Sequence, residues 1–75
     1  MEAKTFKPLD DLLDKTGYKL TYIAEQLGIK PSTLYKWRVS PNMIGVDGME
    51  GIAKLTGVDF IDVYNIVKKF KEKVD

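Results

Sequence analysis

The chain contains no cysteine and no histidine among its 75 residues. Without cysteine it has neither a disulfide framework nor a thiolate metal site. Without histidine it lacks the side chain that most often serves as a general base or a metal ligand. The carboxylates, lysines and tyrosines form no recognisable nucleophile-and-base pair, and the glycines form no phosphate-binding loop. We therefore expect no enzymatic activity, no bound metal and no cofactor.

Long apolar runs are missing as well, because no stretch approaches the length of about 20 residues needed to cross a membrane. The first ten residues, MEAKTFKPLD, carry charges and do not have the pattern of a signal peptide. These features predict an intracellular, cytoplasmic protein with no membrane partner. The length suits one small domain, residues 1–75, with a modest core, and 44% hydrophobic residues indicate an ordered fold.

A large charge of one sign is also missing, because the formal net charge is only +1. The charges are unevenly distributed along the chain. Residues 18–42 carry four cations against Glu25, a net of +3, whereas residues 43–63 carry Lys54 against four acids, a net of −3. A positive middle segment is what attraction to phosphate groups requires. Charges in this number are equally typical of solvated helix faces.

The segment from Leu20 to Arg38 reads as two short helices joined by a tight turn at Gly28. Glycine can end a helix with positive φ, and Pro31 suits the first position of the next helix. Apolar residues at helical spacing predict the buried side of the first helix of this hairpin: Leu20, Ile23, Ala24 and Leu27. Leu34 and Trp37 are predicted to pack the second helix of the hairpin against the core. The side chains predicted to face outward from the second helix are Ser32, Tyr35, Lys36 and Arg38.

Three further helices complete the predicted all-α architecture. Counted along the chain, the first helix begins at Pro8 and ends before Gly17, and the hairpin supplies the second and third. The fourth is predicted to be capped by Asp47, with Glu50 at the spacing of a capping box. The fifth runs from about residue 60 to residue 73. A loop over residues 39–46 follows the second helix of the hairpin, and Met43 and Ile44 are expected to fasten it to the core.

The chain resembles the Cro and lambda-repressor-like helix-turn-helix family. The resemblance rests on Ala24, Gly28, Ile29, Leu34 and Trp37 in the hairpin, and on the segment IAKLTGVDFIDVY, residues 52–64. Together the two segments span Lys19 to about Tyr64, well over half the chain. The resemblance implies a compact five-helix domain with a helix-turn-helix at about residues 20–38. It also implies a sequence-specific transcriptional regulator, a Cro-type repressor of a phage or mobile element in a bacterial cell.

The family pattern, carried over by position, implies which residues contact operator DNA. Ser32 and Lys36 are the candidates for base-edge contact in the major groove, on the helix 31–38. Contacts to the sugar-phosphate backbone are implied for Lys30, Thr33, Tyr35, Arg38, Ser40 and Asn42. Pro31 stands where relatives carry a glutamine, and it can touch a thymine methyl group but cannot read a base by hydrogen bonding. Lys19 and Leu20 also depart from the pattern, since relatives carry a capping Ser or Thr and then a phosphate-binding Gln.

The fifth predicted helix carries more apolar side chains than a domain of this size can bury. We expect an exposed stripe on it that mediates a homodimer: Val63, Ile66, Phe70 and Val74. A symmetric dimer would set two recognition helices about 34 Å apart, one turn of DNA.

Two other interpretations fit the same residues. The first is a protein-interaction module of the same fold that modulates a repressor partner, which would account for the loss of polar contact residues at Leu20 and Pro31. The second is the DNA-binding head of a packaging or transposition protein, whose helical hairpins have similar sequences.

Overall fold

A computed structural model describes the backbone of residues 4–74 and the side chains of residues 4–72. The backbone forms five helices: α1 (Lys7–Asp14), α2 (Leu20–Leu27), α3 (Pro31–Val39), α4 (Val46–Thr56) and α5 (Phe60–Val74). One turn of 3-10 helix, Pro41–Met43, lies between α3 and α4. No strand occurs within residues 4–74, so the prediction of an all-α fold is confirmed.

A three-residue turn joins α2 to α3, as the sequence predicts. Gly28 adopts φ of +71°, the left-handed conformation that glycine accepts without steric cost. The Gly28 amide donates to the Glu25 carbonyl at 3.1 Å, and the Ile29 amide donates to the Ala24 carbonyl at 3.0 Å. These bonds satisfy the last carbonyls of α2 and turn the chain abruptly. Pro31 then occupies the first position of α3, where the absence of an N–H has no cost.

All five helices contribute to one core. The largest fully buried aliphatic side chains come from every helix: Leu9 and Leu13, Ile23, Leu34, Ile52, Val63 and Val67. The Cα radius of gyration is 11.3 Å. A compact domain of this length is expected to have a value of about 11 Å, so the helices pack as one compact unit.

Two glycines on α4 allow α2 and α3 to approach that helix closely. A Cβ atom added at Gly48 would lie 2.8 Å from Cη2 of Trp37 and 2.9 Å from Cγ2 of Ile44. A Cβ atom added at Gly51 would lie 2.9 Å from Cδ2 of Leu27. Each glycine therefore makes room for an apolar side chain from the helical hairpin. The sequence analysis missed this role, because a glycine within a helix shows no partner until the fold is known.

The residues just before α1 pack on the domain through an aromatic side chain. Phe6 is 8% exposed, and its ring meets the Phe70 ring edge-on, with 5.1 Å between centroids. The Phe6 amide also donates to the Arg38 carbonyl at 2.7 Å. These contacts tie residues just before α1 to both α3 and α5.

Three local predictions are wrong. Leu20 is 37% exposed because it is the first residue of α2 and lies at the edge of the packed face. Asp47 does not cap α4, since the helix starts at Val46 with Gly45 before it, which places the Asp47 carboxylate in the first turn. Met43 is 57% exposed, and the loop is anchored to the core by Ile44 together with the fully buried Pro41.

Replacing each of the two α4 glycines with alanine should have different effects on stability. Gly48→Ala should lower the free energy of unfolding by about 1–3 kcal/mol, because a rigid indole ring and a buried isoleucine methyl both oppose the new atom. Gly51→Ala should be neutral or stabilising, because the Leu27 methyl can rotate away and alanine gains about 1 kcal/mol of helix propensity. Urea unfolding of both variants measures this difference, and equal losses would contradict the packing described here.

Candidate nucleic-acid interface

The outer side of α3 is polar and accessible. Pro31, Ser32, Tyr35 and Lys36 are exposed, whereas Leu34 is 2% exposed and Trp37 is half-buried against α4. Leu34 and Trp37 are three positions apart, so they attach one side of the helix to the core. The opposite side consequently presents a hydroxyl, a phenol and an ammonium group on a rigid element. Such groups donate hydrogen bonds to base edges and phosphates.

The beginning of α3 adds a second cation to this surface. Lys30 precedes the helix in an extended conformation, is exposed, and makes no side-chain capping hydrogen bond. Its ammonium group therefore lies beside the end of α3 that carries the partial positive charge of the helix dipole. Thr33, in the first turn, is half-buried. Pro31 has no N–H and the Thr33 amide donates to the Lys30 carbonyl at 2.9 Å, so the attraction of anions to this end of α3 comes mainly from the Lys30 side chain.

A pair of tyrosines near the start of α2 extends the accessible polar surface, and the sequence analysis missed it. The Tyr18 and Tyr22 rings lie 4.8 Å apart between centroids, and their side chains are 48% and 42% exposed. Lys19, also exposed, comes directly before α2 and makes no capping bond. Tyr18 lies before α2 and Tyr22 lies in its first turn, so helical spacing did not predict that the two rings meet.

The loop after α3 contributes less than expected. Asn42 is exposed, but Ser40 is half-buried. The Ser40 amide donates to the Lys36 carbonyl at 2.8 Å, which closes the last turn of α3. Ser40 can therefore offer its hydroxyl group to a ligand but not its N–H.

Arg38 does not face outward as predicted. Its Nε donates to Oδ1 of Asp10 at 2.8 Å, and the two side chains are only 21% and 20% exposed. Asp10 lies in the first turn of α1, which the sequence places far from α3. The guanidinium therefore joins α3 to α1, and the prediction that Arg38 is available to DNA phosphate needs this correction.

The predicted dimer stripe is also only partly accessible. Val63 is fully buried, so its assignment to an exposed interface is wrong. Ile66 and Phe70 are half-buried and pack against the core, and the Val74 side chain lies outside the described residues. The cause is helical phase, because these positions share the face that α5 turns toward the core. The apolar side chains that α5 exposes are instead Phe60, Ile61 and Tyr64, at 38%, 54% and 43%.

Within residues 4–72, no group of three or more acidic, histidine or cysteine side chains is arranged to hold a metal ion. Among the described helices, none combines the length and the apolar character needed to span a bilayer.

Comparison of the chain with protein-family models, with curated proteins and with solved structures finds no match.

Removing the Arg38 side chain should destabilise the fold, whereas removing that of Lys36 should not. Arg38→Ala leaves the partly buried Asp10 carboxylate without its cationic partner, and should cost about 1–3 kcal/mol. Lys36→Ala, two residues away on the exposed face, should stay within about 0.5 kcal/mol of the wild type. Chemical unfolding in moderate salt compares the two, and an unaffected Arg38→Ala variant would argue against the ion pair.

Proposed function

We propose that this chain is a sequence-specific DNA-binding transcriptional regulator. In this proposal α2, the Gly28 turn and α3 are the helix-turn-helix of a lambda-repressor-like domain, and α3 enters the major groove. The observation that carries the proposal is the orientation of α3: Leu34 is buried beneath it, while Ser32 and Lys36 are exposed on the other side. A helix fastened along one side by its apolar residues can insert its polar side into a groove without unfolding.

The accessible residues have distinct roles in this proposal. Lys36 donates to guanine O6 or N7, and Ser32 donates to a base edge or a phosphate. Pro31 contacts a thymine methyl group. Lys30, Tyr35 and Asn42 position the protein on the sugar-phosphate backbone, with smaller contributions from Thr33 and the Ser40 hydroxyl.

The proposed mode of action is that of a Cro-type repressor in the cytoplasm of a bacterial cell. A small domain seated on an operator blocks the approach of polymerase to the same duplex. The activity is binding and requires no catalytic group. Its support is the resemblance of residues 19–64 to that family, together with the accessible face of α3.

Selection of bound duplexes from a random DNA pool tests the proposal directly. A regulator of this kind enriches one short sequence, and a symmetric dimer enriches a palindrome whose half-sites lie about one helical turn apart. Fluorescence anisotropy then compares the selected duplex with a scrambled duplex of the same composition. Equal affinity for both at several salt concentrations would reject sequence-specific recognition.

Lys36→Ala should weaken binding to the selected duplex by about 1–3 kcal/mol and relax the preference at one base pair. The reason is that a lysine at a base edge contributes to affinity only where its acceptor is present. Anisotropy titrations against single-base variants of the duplex measure this effect. A uniform loss on every duplex would instead assign Lys36 to a phosphate. Lys54→Ala, which removes an exposed lysine from α4, is the matched control.

A homodimer through α5 is part of the same proposal, with a revised interface. Ile61 and Tyr64 are exposed one turn apart on the outer face of the helix. Asp59 and Asp62 make the beginning of α5 acidic, while exposed lysines at 68, 69 and 71 make its later part basic. Two copies packed antiparallel, with their α5 helices crossing near Asn65, would set Asp62 of each copy opposite Lys68 of the other, next to Ile61 and Tyr64. A two-fold arrangement of this kind is self-complementary.

Ile61→Lys should weaken the dimer about tenfold or more without unfolding the domain, because the side chain is largely exposed in the monomer. Sedimentation equilibrium, with and without the palindromic duplex, measures self-association. Val46→Lys introduces the same change at an exposed apolar position on α4 and should have no effect. A dimer constant unchanged by Ile61→Lys would exclude this interface.

A second candidate function is a protein-interaction module. The observation that favours it is a groove of about 410 Å³ between α4 and α5, lined by both apolar and charged residues: Glu50, Ala53, Lys54, Gly57, Val58, Asp59 and Phe60. Together with exposed Leu20 and Met43, this groove gives the molecule apolar surface outside α3. This function would be favoured if the chain bound a repressor protein tightly and bound no DNA duplex better than the scrambled one.

A further inference from the structure

The carboxyl end of α3 is held to the rest of the molecule at Arg38 by two separate bonds. The Arg38 carbonyl accepts the Phe6 amide at 2.7 Å, and the Arg38 guanidinium donates to the Asp10 carboxylate at 2.8 Å. The first bond involves only backbone and is independent of the side chain. The second depends entirely on the presence of an acid at position 10.

Asp10 is itself fixed in place. Its second carboxylate oxygen accepts the hydroxyl of Thr5, and its backbone belongs to the first turn of α1. Only 20% of its side chain is exposed. An acceptor that is immobile and largely shielded from water holds an arginine more firmly than an exposed carboxylate on a free rotamer.

The guanidinium of Arg38 lies two residues after Lys36, on the helix that the proposed function places against DNA. An arginine free to move there would find the phosphate backbone within reach of its long side chain. Contacts of that kind add affinity on every sequence equally, because phosphates carry no base information. An arginine held by Asp10 instead orients the helix and adds no such affinity.

We propose that Asp10 is a positioning residue for DNA reading, which holds the end of α3 and withholds the Arg38 guanidinium from phosphate. The hold on α3 keeps Lys36 and Ser32 aligned with their bases and so raises the ratio of specific to non-specific binding, whereas withholding the guanidinium lowers the affinity for every duplex equally and makes it less dependent on salt. This inference rests on the proposed function, and it names a residue outside the DNA-facing surface that sets specificity. It makes Arg38 the partner of Asp10 and not a DNA contact.

The test compares Asp10→Asn with Asp11→Asn on the selected and scrambled duplexes over a range of salt concentrations. Both variants remove one negative charge from the first turns of α1, but Asp11 is exposed and pairs with Lys7 at 3.6 Å, away from Arg38. Asp10→Asn should lower the ratio of the two affinities about tenfold. It should also steepen the plot of log affinity against log salt by about 0.9, the value for one added phosphate contact. Asp11→Asn should leave both the ratio and the slope near the wild-type values.

Arg38→Gln is the second variant. Because it keeps Asp10, it tests whether the guanidinium contacts phosphate even if Asp10→Asn does not fold. It should leave the salt slope of the wild type unchanged, because the guanidinium is not on phosphate. In the double variant with Asp10→Asn it should abolish the added slope. A slope that becomes about 0.9 shallower in Arg38→Gln alone would overturn the proposal. So would an Asp10→Asn variant that behaves as Asp11→Asn does.

Failure of the proposed function is recognised separately, in the wild type, by equal affinity for selected and scrambled duplexes. Hydrogen exchange of the DNA-free protein then reports on whether Asp10 holds the end of α3. The Ser40 amide, which bonds the Lys36 carbonyl at 2.8 Å, should exchange about tenfold faster in Asp10→Asn than in Asp11→Asn. Equal exchange in the two variants would show that Asp10 does not hold the end of α3.

Discussion

The contact between the Trp37 indole and the bare backbone of α4 at Gly48 is the packing constraint on which the rest of this structure depends. The ring approaches so closely that a Cβ atom at Gly48 would lie 2.8 Å from it. With Leu34 buried one turn earlier, this contact fixes both the depth and the rotation of α3. The rotation decides which side chains face water. A side chain at position 48 would force the Trp37 ring to shift and would disturb the rotation of α3 that exposes Ser32 and Lys36.

The local features of the fold could be predicted from the sequence, because they depend on residues close together in the chain. The Gly28 turn and Pro31 at the start of α3 follow from backbone conformation alone, and the burial of Leu34 follows from helical spacing. Partners distant in sequence could not be predicted in the same way. Nothing near Arg38 indicates that Asp10 will accept its guanidinium. The α5 helix illustrates a third case, because its apolar residues are so numerous that spacing cannot tell the inner face from the outer one, and Val63 was misplaced.

The pairing of Arg38 changes the electrostatic argument for DNA binding. Residues 18–42 carry a formal charge of +3. With one cation neutralised by Asp10, the charge that this segment can offer to phosphates falls to +2, from Lys19, Lys30 and Lys36 against Glu25. A protein that contacts few phosphates gains little from counterion release and binds non-specific DNA weakly. A regulator of this kind must obtain its affinity from base contacts and from occupying two half-sites at once.

That requirement makes the indirect connection between α5 and α3, through Phe6, important for binding. In the proposed dimer, α5 joins the two copies, and each α3 must reach its own half-site at a fixed separation. Within one copy, Phe70 of α5 packs on Phe6, and the Phe6 amide is bonded to the carbonyl of Arg38 at the end of α3. The side chain of that same arginine is bonded to α1. The helix proposed to join the copies and the helix proposed to read DNA are thus connected through a short series of packed and hydrogen-bonded groups. Because two half-sites are bound with high affinity only when their separation is fixed, rigidity along this series contributes to affinity without adding a contact to DNA.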